Sequence, residues 1–208
     1  MPAVQIIFRK DAAAQFLSHL DLLATLEYAM RRARLPLELS EGFNPRPRMT
    51  LAAPLALGYI GAREILEISL REQMSATEVQ QSLQSALPAG ITILSIQTIP
   101  EGQKPAASRV QGSIYQVRIP QPVANLDDRV EALLRMGEAW IVEEREKGTR
   151  RRNVRPLLES VTVENNCTLR VAVTHGPDGT TRPEHILELL DVPADGALIT
   201  RECIVLRD

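Results

Sequence analysis

Short β-branched runs and stretches of helical spacing alternate along the first half of the chain. Val4-Gln5-Ile6-Ile7-Phe8-Arg9 is apolar and β-branched and predicts a strand. Ser18 stands three residues before Asp21, the signature of an N-cap with a first-turn carboxylate. Leu22, Leu26, Met30 and Ala33 then recur at i+4 and i+3 spacing, with Leu23 and Ala29 widening the stripe, so an amphipathic helix follows until Pro36 ends it. Leu37-Glu38-Leu39-Ser40 alternates and predicts a strand, the segment from Gly42 to Arg48 a loop, and Met49-Thr50-Leu51-Ala52 extended chain. Glu64-Ile65-Leu66-Glu67-Ile68-Ser69-Leu70 predicts a further strand. Ser75 and Glu78 open a second helix with Val79, Leu83, Ala86 and Leu87 on one face, and Ile91-Thr92-Ile93-Leu94-Ser95-Ile96 closes as a strand. The order is β-α-β-β-α-β, the split βαβ arrangement of ferredoxin-like domains.

The second half repeats that order. Ile114-Tyr115-Gln116-Val117-Arg118-Ile119 predicts a strand, and Leu126, Val130, Leu133 and Leu134 a helix. Trp140-Ile141-Val142-Glu143-Glu144 predicts another strand, and the stretch from Lys147 to Arg155 a basic loop. Val161-Thr162-Val163 and Leu169-Arg170-Val171-Ala172-Val173 predict strands joined through an Asn165-Asn166 turn. A helix with Pro183 near its start runs to Leu190, and a last strand runs from Leu198 through Leu206. The expected fold is therefore α+β: two tandem ferredoxin-like (βαββαβ) units with antiparallel sheets. The first covers 1–100 and the second 113–208, joined by a Gly- and Pro-rich linker at 101–112. The halves share element order but little residue identity, and the Gly42 and Lys147 loops hold equivalent places in it.

Composition narrows the class. Hydrophobic content of 44% and charged content of 24% suit a globular protein, while 3% aromatics leaves the core to Leu, Ile, Val and Ala. No apolar run reaches membrane-spanning length, and the start shows no basic region followed by an apolar stretch, so a cytoplasmic protein is expected. Cys167 and Cys203 sit far apart in apolar contexts and read as reduced thiols. The sequence holds no three-cysteine cluster for an iron–sulfur centre, no Cys/His spacing for zinc, and no P-loop or dinucleotide fingerprint, so no cofactor or metal is expected.

Charge distribution changes the picture. Residues 145–155 hold Arg145, Lys147, Arg150, Arg151, Arg152 and Arg155 against one acid, Glu146, within a chain of net charge -2. Arg46 and Arg48 lie in the equivalent loop, and Arg31, Arg32 and Arg34 end the first helix. Arginine's planar fork suits phosphate oxygens and base stacking, so Lys147, Arg150, Arg151, Arg152, Arg155, Arg46 and Arg48 form a candidate RNA- or anion-binding set. Asn44 and Phe43 join it. With Pro45 and Pro47 stiffening the loop, an aromatic such as Phe43 commonly folds under it as a plug, and stacking on a base is the alternative. His19 in the first helical turn is a candidate general acid or base, with Asp21 either its site partner or simply the cap.

The pair Phe16-Leu17-Ser18-His19-Leu20-Asp21 and Ser40-Glu41-Gly42-Phe43-Asn44-Pro45-Arg46-Pro47, with Leu35-Pro36 and the Gly148 to Pro156 segment, resembles the bacterial radical SAM-associated (radical SAM-linked) domain of unknown function. The resemblance covers nearly the whole chain. It departs at Arg46, where the family often has His, and at Asn153, where it often has Asp. Members occur alone or fused behind a radical SAM enzyme, and tend to be encoded near RNA-processing and ribosomal proteins. The resemblance thus implies a radical SAM enzyme as partner and, less directly, RNA. The expected function is a non-catalytic RNA-binding or substrate-presenting accessory. Two alternatives stand beside it: a metal-independent RNA-processing or RNA-modifying enzyme using His19, and a module that only docks a protein.

Overall fold

The computed structural model describes residues 2–145, 148–176 and 179–208, with the side chain of Arg145 left aside. Among them the protein is mixed α/β, with five α-helices and mostly antiparallel strands. Two compact units divide the chain, one of residues 1–110 with 206–208 and one of residues 111–205.

In the first unit, β1 (Ala3–Lys10) is followed by α1 (His19–Arg32), β2 (Met49–Leu51), β3 (Ile60–Ser69), α2 (Ala76–Gln84), β4 (Ile91–Thr98) and the short α3 (Ala106–Arg109). The strands run in the order β4-β1-β3-β2, and β1 is antiparallel to both of its neighbours. Both long helices open with a capping box: Ser18 with Asp21 and Ser75 with Glu78. Each box satisfies helix N–H groups that have no partner within the helix. Leu22, Leu26 and Met30 of α1 and Val79 and Leu83 of α2 pack against Val4, Ile6, Phe8, Leu66 and Ile68 of the sheet. The strand expected over Leu37–Ser40 is absent as a ladder. Only the bridges Leu37 to Leu70 and Leu39 to Pro47 form: Pro36 has no N–H to extend the first, and Ile68 of β3 is already paired with Met49. Within the stretch expected as a linker, α3 forms and β5 already begins at Val110.

The second unit contains most of β5 (Val110–Arg118), then α4 (Leu126–Arg135), β6 (Trp140–Arg145), β7 (Gly148–Asn153), β8 (Leu158–Asn165), β9 (Thr168–Thr174), α5 (Pro183–Leu189) and β10 (Leu198–Leu206). Four of its strands run in the order β10-β5-β9-β8, and β6 and β7 form a separate two-stranded hairpin. Leu126, Val130, Leu133, Ile186 and Leu187 from the helices are buried, as are Val117, Leu169, Val171 and Val173 from the strands. Gly112 passes so close to β9 that a Cβ would lie 2.4 Å from the Val173 carbonyl oxygen, so only glycine fits there. The expected basic loop from Lys147 to Arg155 is corrected: Gly148–Asn153 is strand, paired in register with β6. Lys147 itself lies outside the described residues.

Candidate nucleic-acid interface

In the first unit, Lys10 is buried and its Nζ donates to the carbonyls of Gln15 (2.9 Å) and Tyr59 (3.1 Å), while Gly58 N–H donates to Gln15 O (3.0 Å). These bonds tie the entry of α1 to the segment carrying Leu57 and leave Phe16, Leu20 and Leu57 exposed. Asp21 Oδ2 accepts from Ser18 N–H (3.3 Å) and Ser18 Oγ–H (2.6 Å). Its role is therefore the cap. His19 is half-buried, with an enclosed Nδ1 that has no hydrogen-bond partner among the described residues. No bond joins His19 to Asp21, so the two are not assembled as an acid–base pair.

The Gly42 loop is closed at its base by two hydrogen bonds. Ser40 N–H donates to Arg46 O (2.7 Å), and Arg46 N–H donates to Ser40 Oγ (3.0 Å). Gly42 turns the chain at φ +122°, a conformation that favours glycine. The loop thereby holds Phe43 fully exposed, so the plug arrangement is not adopted. Arg48 stays close to Glu38 (3.4 Å), and the Arg46 side chain has no hydrogen bond or ion pair among the described residues. Between this loop and the outer face of α1 lies an open cleft of about 750 Å³, lined by Ala24, Glu27, Tyr28, Arg31, Asn44, Pro45 and Arg46. Tyr28 is 74% exposed. Arg31 is fixed by Glu27 through Nε (3.0 Å) and Nη2 (2.7 Å).

In the second unit the β6–β7 hairpin sorts its arginines. Val142 pairs with Arg151 and Trp140 with Asn153, which sets Trp140, Val142 and Arg151 on one face. That face is exposed, and the Arg151 guanidinium stands 5.2 Å from the Trp140 ring centroid, a cation–π contact. Arg150 is exposed too. Arg152 faces inward with Ile141 and pairs with Glu143 at 2.8 Å, both side chains largely covered. Arg155 donates to three backbone carbonyls: Leu134 (2.8 Å), Met136 (3.0 Å) and Leu158 (3.1 Å). Asn153 Oδ1 accepts from Ala139 N–H and Arg155 N–H, securing the base of the hairpin. Arg151 is thus presented outward beside Trp140, Arg150 is exposed on the face that carries Arg152, and Arg152 and Arg155 hold the hairpin in place.

Two features escape sequence reasoning. One is the exposure of aromatics: Phe16, Tyr28, Phe43 and Trp140 face solvent, and only Phe8, Tyr59 and Tyr115 are buried. For Tyr28 alone the helical spacing carries a signal, since it lies opposite the Leu22–Leu26–Met30 stripe. The other is a charged cleft of about 580 Å³ between the hairpin and α5, lined in part by Glu143, Arg152, Thr180, Arg182, His185 and Glu188. Burial, first of all, pushes the pKa of His185 below the usual histidine range. Glu143 opposes the shift and Arg152 adds to it. Its Nδ1 lies 3.1 Å from Thr181 Oγ1. No local motif announces this site, because its members come from segments distant in sequence.

A search of curated proteins gives no match. Among solved structures, a crystal structure of an unknown protein from Galdieria sulphuraria is similar at 16% identity, covering 99% of this chain and 98% of that one. Its TM-score of 0.28 is too low to carry an argument. A bacterial family matches residues 4–183, most of the sequence and both units. By that match the chain belongs to the family described as an uncharacterized protein conserved in bacteria, DUF2344.

Proposed function

We propose that the protein is a non-catalytic accessory that binds single-stranded RNA and works beside a radical SAM enzyme in the cytoplasm. The observation that carries the RNA reading is the pairing of exposed aromatics with outward arginines. Trp140 carries Arg151 over its ring, with Arg150 exposed on the other face of β7, and Tyr28 shares a cleft with Arg31, Asn44 and Arg46, next in sequence to the exposed Phe43. Aromatics in a protein this poor in them would add to the core if stability alone governed their placement. A ring for a base beside a fork for a phosphate is the chemistry of single-strand recognition. Net charge of -2 fits local rather than global attraction. The test is a fluorescence-anisotropy titration of labelled single-stranded RNA with wild type and Arg150→Glu/Arg151→Glu. Loss of affinity in the variant supports the reading, and equal affinity refutes it.

The same reading takes each unit as ferredoxin-like, supported by the strand orders β4-β1-β3-β2 and β10-β5-β9-β8. The partner rests on the resemblance noted above. The exposed Phe16–Leu20–Leu57 group favours a protein contact and is its proposed docking place. Co-purification of a radical SAM protein that survives nuclease and is lost with Leu20→Asp supports this; capture unaffected by Leu20→Asp removes it.

A further inference from the structure

We infer that the cleft between α1 and the Gly42 loop captures one unpaired nucleobase of the RNA strand together with its phosphate. This rests on the RNA-binding reading and adds a division of labour: the hairpin supplies sequence-independent affinity, and the cleft supplies base preference.

The charges in the cleft select the ligand's sign. Glu27 is neutralised by Arg31 through two short hydrogen bonds, so it repels no anion and its arginine is held in a fixed pose. Arg46 is then the remaining cation, with no partner of its own among the described residues. A site with one uncompensated guanidinium takes a group bearing an anion. The other walls select the ligand's shape. Tyr28 offers an exposed ring from the helix, Pro45 a rigid apolar ring from the loop, and Asn44 an amide with both a donor and an acceptor. A planar, hydrogen-bonding group with an attached anion satisfies all three demands, and a nucleotide within a strand is such a group. The cleft's size lies in the range of sites for ligands of that class. Its geometry is preformed, because the Ser40–Arg46 hydrogen bonds fix the loop and the capping box fixes the start of α1.

The experiment is a titration of labelled homopolymeric oligo-A, oligo-C and oligo-U RNA with wild type, Tyr28→Ala, Asn44→Ala and the double variant Arg150→Glu/Arg151→Glu. Tyr28 and Asn44 are exposed, so their truncation leaves the core intact, and circular dichroism confirms folding. Wild type should distinguish the homopolymers. Tyr28→Ala should weaken the preferred one about 5-fold or more, and Asn44→Ala should narrow the difference between bases. The hairpin variant should weaken all three by a common factor. If the hairpin variant loses affinity while Tyr28→Ala and Asn44→Ala change neither affinity nor preference, the cleft assignment falls and the RNA reading stands. If wild type binds no RNA, both fall. Displacement by equal concentrations of nucleoside monophosphate would make the free nucleotide the ligand and overturn the assignment to the strand.

Discussion

Replacing Arg155 by alanine separates a scaffold role from a binding role. One guanidinium donates to the carbonyls of Leu134, Met136 and Leu158, joining the end of α4 to the base of the hairpin and the start of β8. Each charge-assisted bond is worth about 1.5–3 kcal/mol when fully enclosed. The side chain is only half-buried, so water can replace part of each bond. Taking somewhat under 1 kcal/mol per bond gives a loss of about 2–3 kcal/mol, or a melting temperature lower by about 5–10 °C for a chain of this length. Lysine reaches one carbonyl rather than three, so Arg155→Lys should recover only a minor part. Urea unfolding followed by circular dichroism measures the loss, and RNA titration at a temperature where both proteins are folded checks the interface. If Arg155→Ala unfolds like wild type yet loses RNA affinity as Arg150 variants do, Arg155 is a phosphate contact and the hairpin's anchoring has been misassigned.

Phe43→Ala should leave stability unchanged, because the ring touches solvent alone, and should weaken single-stranded RNA by about 5-fold or more; thermal melts and anisotropy measure the two. Gly112→Ala places a methyl against the Val173 carbonyl and should destabilise by about 2 kcal/mol or more, read by urea unfolding. Burial holds the pKa values of His185 and His175 below their ordinary 6.5, so the unfolded chain takes up protons first as pH falls. Stability should then be complete above pH 6.5, decline through that value, and level off below the folded-state values, with His185→Asn showing a shallower decline in melts across pH. His19→Ala should leave RNA intact in chelator, as wild type does, because Asp21 serves the cap and does not partner the imidazole. Cleavage by wild type that this change abolishes would instead favour an enzyme.

Much of the scaffold was readable from residue spacing, and the exceptions have physical causes. The cap at Ser18 and the stripe of Leu22, Leu26 and Met30 are local signals, and α1 follows them. The strand Gly148–Asn153 was hidden because its inward-facing Arg152 is half-buried and paired with Glu143 instead of an apolar neighbour, so no hydrophobic alternation marks it. Leu37–Ser40 shows alternation without a ladder, because Pro36 has no donor to extend the bridge to Leu70 and Met49 already pairs with Ile68. Arginines at adjacent positions look alike in sequence, yet pairing register sends Arg151 outward over Trp140 and Arg152 inward. His185 acquires its neighbours only on folding.

The salt dependence of RNA affinity addresses the central claim most directly. With Arg46, Arg150 and Arg151 meeting phosphates, the log–log slope should be close to about -2, so raising salt from about 50 to about 200 mM should weaken single-stranded RNA on the order of 20-fold. Arg150→Glu/Arg151→Glu should flatten that slope by about 1.4. A slope near zero, or one that the double variant leaves unchanged, contradicts the account.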